Sequence, residues 1–273
     1  TSISAADASA KLTATSGSLS LSAFGASGSI GSPALPMMVD TSSLSISSDS
    51  TVNVQFPASP TRTLTTLNLN LEAAGLGTTS AIGGGPILGS GLSFSSNGSV
   101  VTATLAPTSM LNSFTLDVGG GGLTIPSMSN IGYTYLQADG NIIVTSATGN
   151  SSYSFYVNSD NGSVTLGSVT GVGSLNVDAE TGITIGSVTS TSSSFDAFNG
   201  NIVAGADNTG YEIDSGTGSV QVRAYQGSIG GANGFDIRGG SITLNAGGSG
   251  SVGSIGSAAK PVVINSTGSL SVD

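Results

Sequence analysis

Four aspartates spaced 18 residues apart, Asp160, Asp178, Asp196 and Asp214, are the residues whose type and placement come nearest to chemistry in this sequence. On successive turns of a repeating chain, carboxylates about 5 Å apart along one edge repel unless water or a hard cation such as calcium bridges them. A calcium-stabilised acidic ladder is therefore one reading. The plainer reading also takes in Asp139 and Asp236: each aspartate closes the turn before a strand by bonding its own backbone, and faces water. We adopt the plainer reading and expect no cofactor, with calcium on the four-aspartate ladder as the alternative.

Carboxylates in pairs raise a second chemistry. Asp178 with Glu180, and Glu212 with Asp214, alternate along a strand so that each pair shares one face, an arrangement suited to the acid and base of glycoside hydrolysis. A sugar site also needs groups that grip the substrate, and near these pairs stand only Tyr211, Arg223 and Tyr225. The chain has no His and no Cys, which removes the Ser-His and Cys-His nucleophile pairs, disulfides, and zinc held by thiolate or imidazole. No catalytic residue is assigned and no enzyme is expected.

Other motifs are accidents of composition. Residues 248–253 spell a dinucleotide fingerprint with no helix to follow. Residues 230–237 approach a calcium-binding nonapeptide, with one residue too many. Asn97, Asn150, Asn161 and Asn265 sit in glycosylation triplets, as a Ser-rich chain produces by chance. Thr13 with Thr15, and Thr102 with Thr104, do not recur at a period that would build an ice-binding array.

The 273 residues hold 5 Lys or Arg against 15 Asp or Glu, a net charge of −10. That balance disfavours nucleic acid and anionic membranes as partners. No run of 18 apolar residues exists, so no transmembrane segment is expected. The first residues lack the basic-then-apolar order of a signal peptide, and the chain reads as a segment of something longer.

The elements that must position these residues are strands. Forty-two glycines and abundant β-branched residues depress helix, and a short phrase recurs: a Gly corner, then an alternating apolar strand. It opens at Gly140-Asn141-Ile142, Gly162-Ser163-Val164, Gly182-Ile183, Gly200-Asn201-Ile202, Gly218-Ser219-Val220 and Gly240-Ser241-Ile242. The spacing predicts an all-β parallel β-helix with rungs of about 18–22 residues, because short rungs cannot bury their apolar faces except by stacking. Val164, Ile183, Ile202 and Val220 are expected to form one inward column, with Gly167 and Gly186 turning the chain onto a second face. Residues 28–39 return as residues 253–264, with Ile, Pro and an apolar triplet in place. Three regions follow: rungs at 1–60, a less regular stretch or inserted hairpin at 61–135, and regular rungs at 136–273. Within the middle region residues 67–71 read as a strand, and 61–74 alternatively as a short helix covering an edge.

The phrase at 240–246, the Gly-Ser-Ile-Gly phrases at 28 and 253, and the absence of His and Cys resemble the repeats of large filamentous-haemagglutinin-like exoproteins, most clearly over 136–273. The resemblance implies a right-handed parallel β-helix, export, and a place in a long surface stalk. The expected function is a structural and adhesive segment of an extracellular, cell-surface fibre. Its partner would be a glycan or protein of a host or neighbouring cell, and uncapped strand edges invite end-to-end self-association. The alternative is a secreted protein that binds or processes polysaccharide.

Overall fold

Strict alternation of apolar and polar residues makes one face of a strand insoluble, and the chain buries that face by pairing most strands in parallel with strands distant in sequence. A computed structural model describes residues 2–4, 10–14, 17–25, 28–76, 80–205, 210–248 and 251–273. Thr15, Ser249 and Gly250, named above, lie outside the described residues. The protein is all-β and divides into two compact units, Thr1–Asp139 and Gly140–Asp273. No helix among the described residues is long and apolar enough to cross a membrane.

In the first unit, strands Ser18–Ala23, Ser43–Ser48, Thr66–Glu72, Leu111–Gly119 and Ile131–Ala138 pair in parallel, each with the next. The register stacks Leu21, Ile46, Leu69, Leu116 and Leu136 into one buried column. Complete burial of each such side chain is worth about 1.5–3 kcal/mol. Thr66–Glu72 is a strand, so the short helix at 61–74 does not form: its alternating Leu residues match the neighbouring strands, whereas a helix would scatter them. Between Thr66–Glu72 and Leu111–Gly119 the chain leaves the ladder. There Ser80–Gly84, Gly89–Ser96 and Val100–Leu105 form an antiparallel meander around a one-turn helix, Gly85–Leu88.

A buried carboxylate ties this unit together. Asp40 accepts hydrogen bonds from Lys11 Nζ (3.2 Å), Thr61 N–H (3.0 Å), Thr61 Oγ1 (2.7 Å) and Arg62 N–H (3.1 Å). Burial raises its pKa, but the bonds from Thr61, Lys11 and Arg62 outweigh it and hold the carboxyl at about 2.

The second unit carries three sets of parallel ladders, visited in turn. One stacks Ile142, Val164, Ile183, Ile202, Ile229 and Ile255. The next stacks Ala147, Val169, Val188, Ile213, Ile237 and Ile264. The third stacks Phe155, Leu175, Ser193, Val220, Ile242 and Leu270. Val220 therefore belongs to the third ladder, and Ile229 takes the place expected for it after Ile202. The reason is uneven spacing: the steps of 22, 19 and 19 residues up to Ile202 lengthen to 27 and then 26, so an even period misassigns the strand. A third Gly-Ser-Ile-Gly phrase, residues 227–230, marks the true position.

Glycines mark the corners for steric reasons. A Cβ on Gly200, Gly218 or Gly240 would meet the carbonyl oxygen of Thr181, Thr191 or Thr217 at 1.2, 1.6 and 1.9 Å. The repeated unit is one conformation used twice: Gly31 and Gly256 both have positive φ (66° and 63°), and in both copies a Ser closes the turn that follows.

Candidate functional site

On the outer face of the third ladder, the position between two inward residues is polar in every strand. The register aligns Asn158, Asp178, Asp196, Arg223 and Asn245. Arg223 grips Asp196 with both ends of its fork, Nε to Oδ1 and Nη2 to Oδ2 (2.7 Å for the latter). The Asp196 side chain is 8% exposed and that of Arg223 32%. The hydrogen bond to Asp196 raises the pKa of Arg223. Asp178, one step away, accepts no hydrogen bond among the described residues. Its pKa is raised, first by burial and then by the negative charge of Asp196, against a lowering pull from Arg223.

The expected four-aspartate edge is thus not what the register builds. Only Asp178 and Asp196 are neighbours. Asp160 lies two residues beyond Asn158, which donates to it at 2.7 Å. Asp214 belongs to the second ladder, between Thr189 and Arg238. An 18-residue spacing aligns side chains only where rungs are 18 residues long, and here only the step from Asp178 to Asp196 is. Among the described residues no group of three or more Asp, Glu, His or Cys side chains could hold a metal ion. Of the turn-closing bonds expected, Asp214 makes one, accepting from Gly216 N–H at 3.0 Å, whereas Asp139 reaches Gly120 N–H instead. Within residues 230–237, residues 232–234 connect strands Ile229–Gly231 and Phe235–Gly239.

The second ladder repeats the charged motif. Arg238 clamps Asp214 through Nε (2.7 Å) and Nη2, and its guanidinium lies 5.1 Å from the ring centre of Tyr211. Asn265, next in register, donates to Tyr211 Oη at 2.7 Å. The hydrogen bond to Asp214 raises the pKa of Arg238.

Of the two carboxylate pairs weighed for acid and base, three members hold hydrogen-bond partners among the described residues and Asp178 does not. Glu212 is buried and accepts from Asp236 N–H at 2.6 Å, while Asp214 is held by Arg238. Glu180 accepts from Asn199 Nδ2. The three sugar-gripping candidates are divided between the ladders: Tyr211 under Arg238, and Arg223 beside Tyr225, whose ring stacks on Phe198 with centroids 5.4 Å apart and planes 10° from parallel.

Arg238, Phe198 and Asn245 were missed by sequence reasoning, which looked for partners only beside the paired carboxylates. For Asn245 a signal was present: Val177-Asp178-Ala179, Phe195-Asp196-Ala197, Val222-Arg223-Ala224 and Leu244-Asn245-Ala246 share an apolar, polar, Ala pattern.

The residues define an all-β protein of parallel ladders with paired charges on its outer faces. Compared with known proteins, the chain matches no family model, no curated protein and no solved structure.

Proposed function

We propose that the chain is a structural and adhesive segment of an exported cell-surface fibre, each unit a stretch of right-handed parallel β-helix whose task is to supply stiffness and lateral surface. The observation that carries this reading is the stacking of like on like: five or six strands in one ladder keep an apolar inward residue, Ser193 excepted, so that each strand buries its face on the last. Parallel strands joined within one sheet almost always cross over right-handedly, which supports the handedness. The resemblance to filamentous-haemagglutinin-like repeats gives the extracellular location and the adhesive role, with a glycan or protein of another cell as partner.

Immunogold electron microscopy of intact producing cells, with antibody against residues 136–273, tests the reading. Label on projecting filaments is expected. Label confined to the cell interior would refute it, and protein found only in the medium would favour a soluble protein directed at polysaccharide.

A further inference from the structure

Beside the charged row of the third ladder lies a trough of about 390 Å³. Its floor is the outward half of the run at 190–194. Ser192 and Ser194 are short, while Asn176 in the preceding strand and Gln221 and Thr243 in the following two rise as walls. The inward half of the same run explains why the floor stays flat. Ser190, Ser193 and Ser215 close a buried ring of hydroxyls at 2.7, 3.1 and 2.8 Å, filling an inward position that an aliphatic side chain occupies in neighbouring strands.

The lining is chemically uniform. Apart from Val220, every residue bordering the trough carries a hydroxyl or a carboxamide. Asn176 spends one donor on Ser174 (3.2 Å) and Ser194 bonds Asp196 (3.3 Å). Among the described residues the hydroxyls of Ser192 and Thr243 and the amide of Gln221 make no protein hydrogen bond. These groups both donate and accept, as sugar hydroxyls do.

The borders narrow the ligand further. Asp178 presents a half-buried carboxylate with no hydrogen-bond donor of its own, an acceptor suited to adjacent sugar hydroxyls. The one cation of this row, Arg223, is already spent on Asp196, so nothing here favours a sulfated, phosphorylated or uronate chain. One position further along the same face, Phe198, 45% exposed, and Tyr225 form a stacked pair able to pack against the C–H face of a sugar ring. A bound peptide would want apolar pockets or an open strand edge, and this face offers neither.

We propose that this trough binds a neutral glycan chain lying across the strands, its hydroxyls held by Ser192, Gln221, Thr243 and Asp178 and a sugar face packed on Phe198 and Tyr225. The site rests on the lateral face alone, so it stands or falls independently of whether the chain is exported in a fibre.

The test is isothermal titration of the full 273-residue chain with neutral hexasaccharides (cellohexaose, mannohexaose and chitohexaose), with hexagalacturonate as the charged comparator. At least one neutral chain is expected to saturate and to bind more tightly than hexagalacturonate. Gln221→Ala with Thr243→Ala should weaken it about tenfold or more, as the loss of two hydrogen bonds requires. Ser194→Leu, which fills the floor from the solvent side, should abolish binding at an unchanged melting midpoint. The proposal is overturned if no neutral hexasaccharide binds at millimolar concentration, if hexagalacturonate binds the tightest, or if the folded variants bind as the parent does.

Discussion

Removing Arg223 is the perturbation whose consequence the structure sets most narrowly. In Arg223→Ala, both hydrogen bonds of the fork disappear and Asp196, 8% exposed, is left facing Asp178 across one ladder step. Stripping one partner from a buried ion pair costs about 3–5 kcal/mol. Arg223 itself is 32% exposed and water enters where it leaves, so the lower end, about 3 kcal/mol, is expected. With urea slopes of about 1–3 kcal/mol/M, the unfolding midpoint should fall by about 1–3 M at pH 7. The pH dependence follows from Asp178. Asp178 already titrates above its usual value through burial and Asp196, and loses the lowering pull of Arg223 in the variant. Its folded form then binds a proton before the unfolded chain does, so the penalty is present at neutral pH and is relieved as pH falls toward the unfolded value near 3.8. The gap between variant and parent must therefore shrink from pH 7 to pH 4. Adding Asp178→Asn should restore about 1 kcal/mol at pH 7, since the neighbouring charges couple. Urea melts at both pH values that gave a gap under about 0.5 kcal/mol, or one independent of pH, would refute the argument and mark the pair as a solvated surface contact.

In the parent protein, Asp178→Asn alone should raise the midpoint at pH 7, with the gain vanishing as pH falls below about 4, read by thermal melts across pH. Asp40→Ala should cost about 3–5 kcal/mol by urea unfolding, because it orphans the N–H groups of Thr61 and Arg62, while Lys11→Ala, cutting only an exposed arm, should cost under about 1 kcal/mol. Asp40 also makes the first unit acid-labile: its carboxyl is held at about 2, so its contribution is complete above pH 3.8 and is lost as pH falls through 2, a loss that Asp40→Asn should not show. Leu116→Ala, between Leu69 and Leu136, should cost about 2–5 kcal/mol.

Much of the inward half of the protein was legible before any coordinates. An inward position admits only residues that tolerate dehydration, so Val164, Ile183 and Ile202 announce themselves by type, and Gly200, Gly218 and Gly240 by the absence of a Cβ that the next carbonyl would strike. The alternation at Leu67, Leu69 and Leu71 likewise gave the strand that the ladder then confirms. The outer face was less legible. Water accepts any polar side chain, so Asp, Arg, Asn and Ser can follow one another along a row without leaving a pattern of type.

What the sequence determined by itself is therefore the strand content, the glycine corners, the inward residue class and a net charge of −10. Only the tertiary structure decided which polar residues meet. Unequal steps between paired strands make separation in sequence a poor measure of register: Asp196 meets Arg223 across 27 residues, Asp214 meets Arg238 across 24, and the evenly spaced Asp160 and Asp214 lie outside the row that holds Asp178 and Asp196. Register is fixed by burying every inward face at once, and that sum over many distant contacts is not written in any one stretch of the chain.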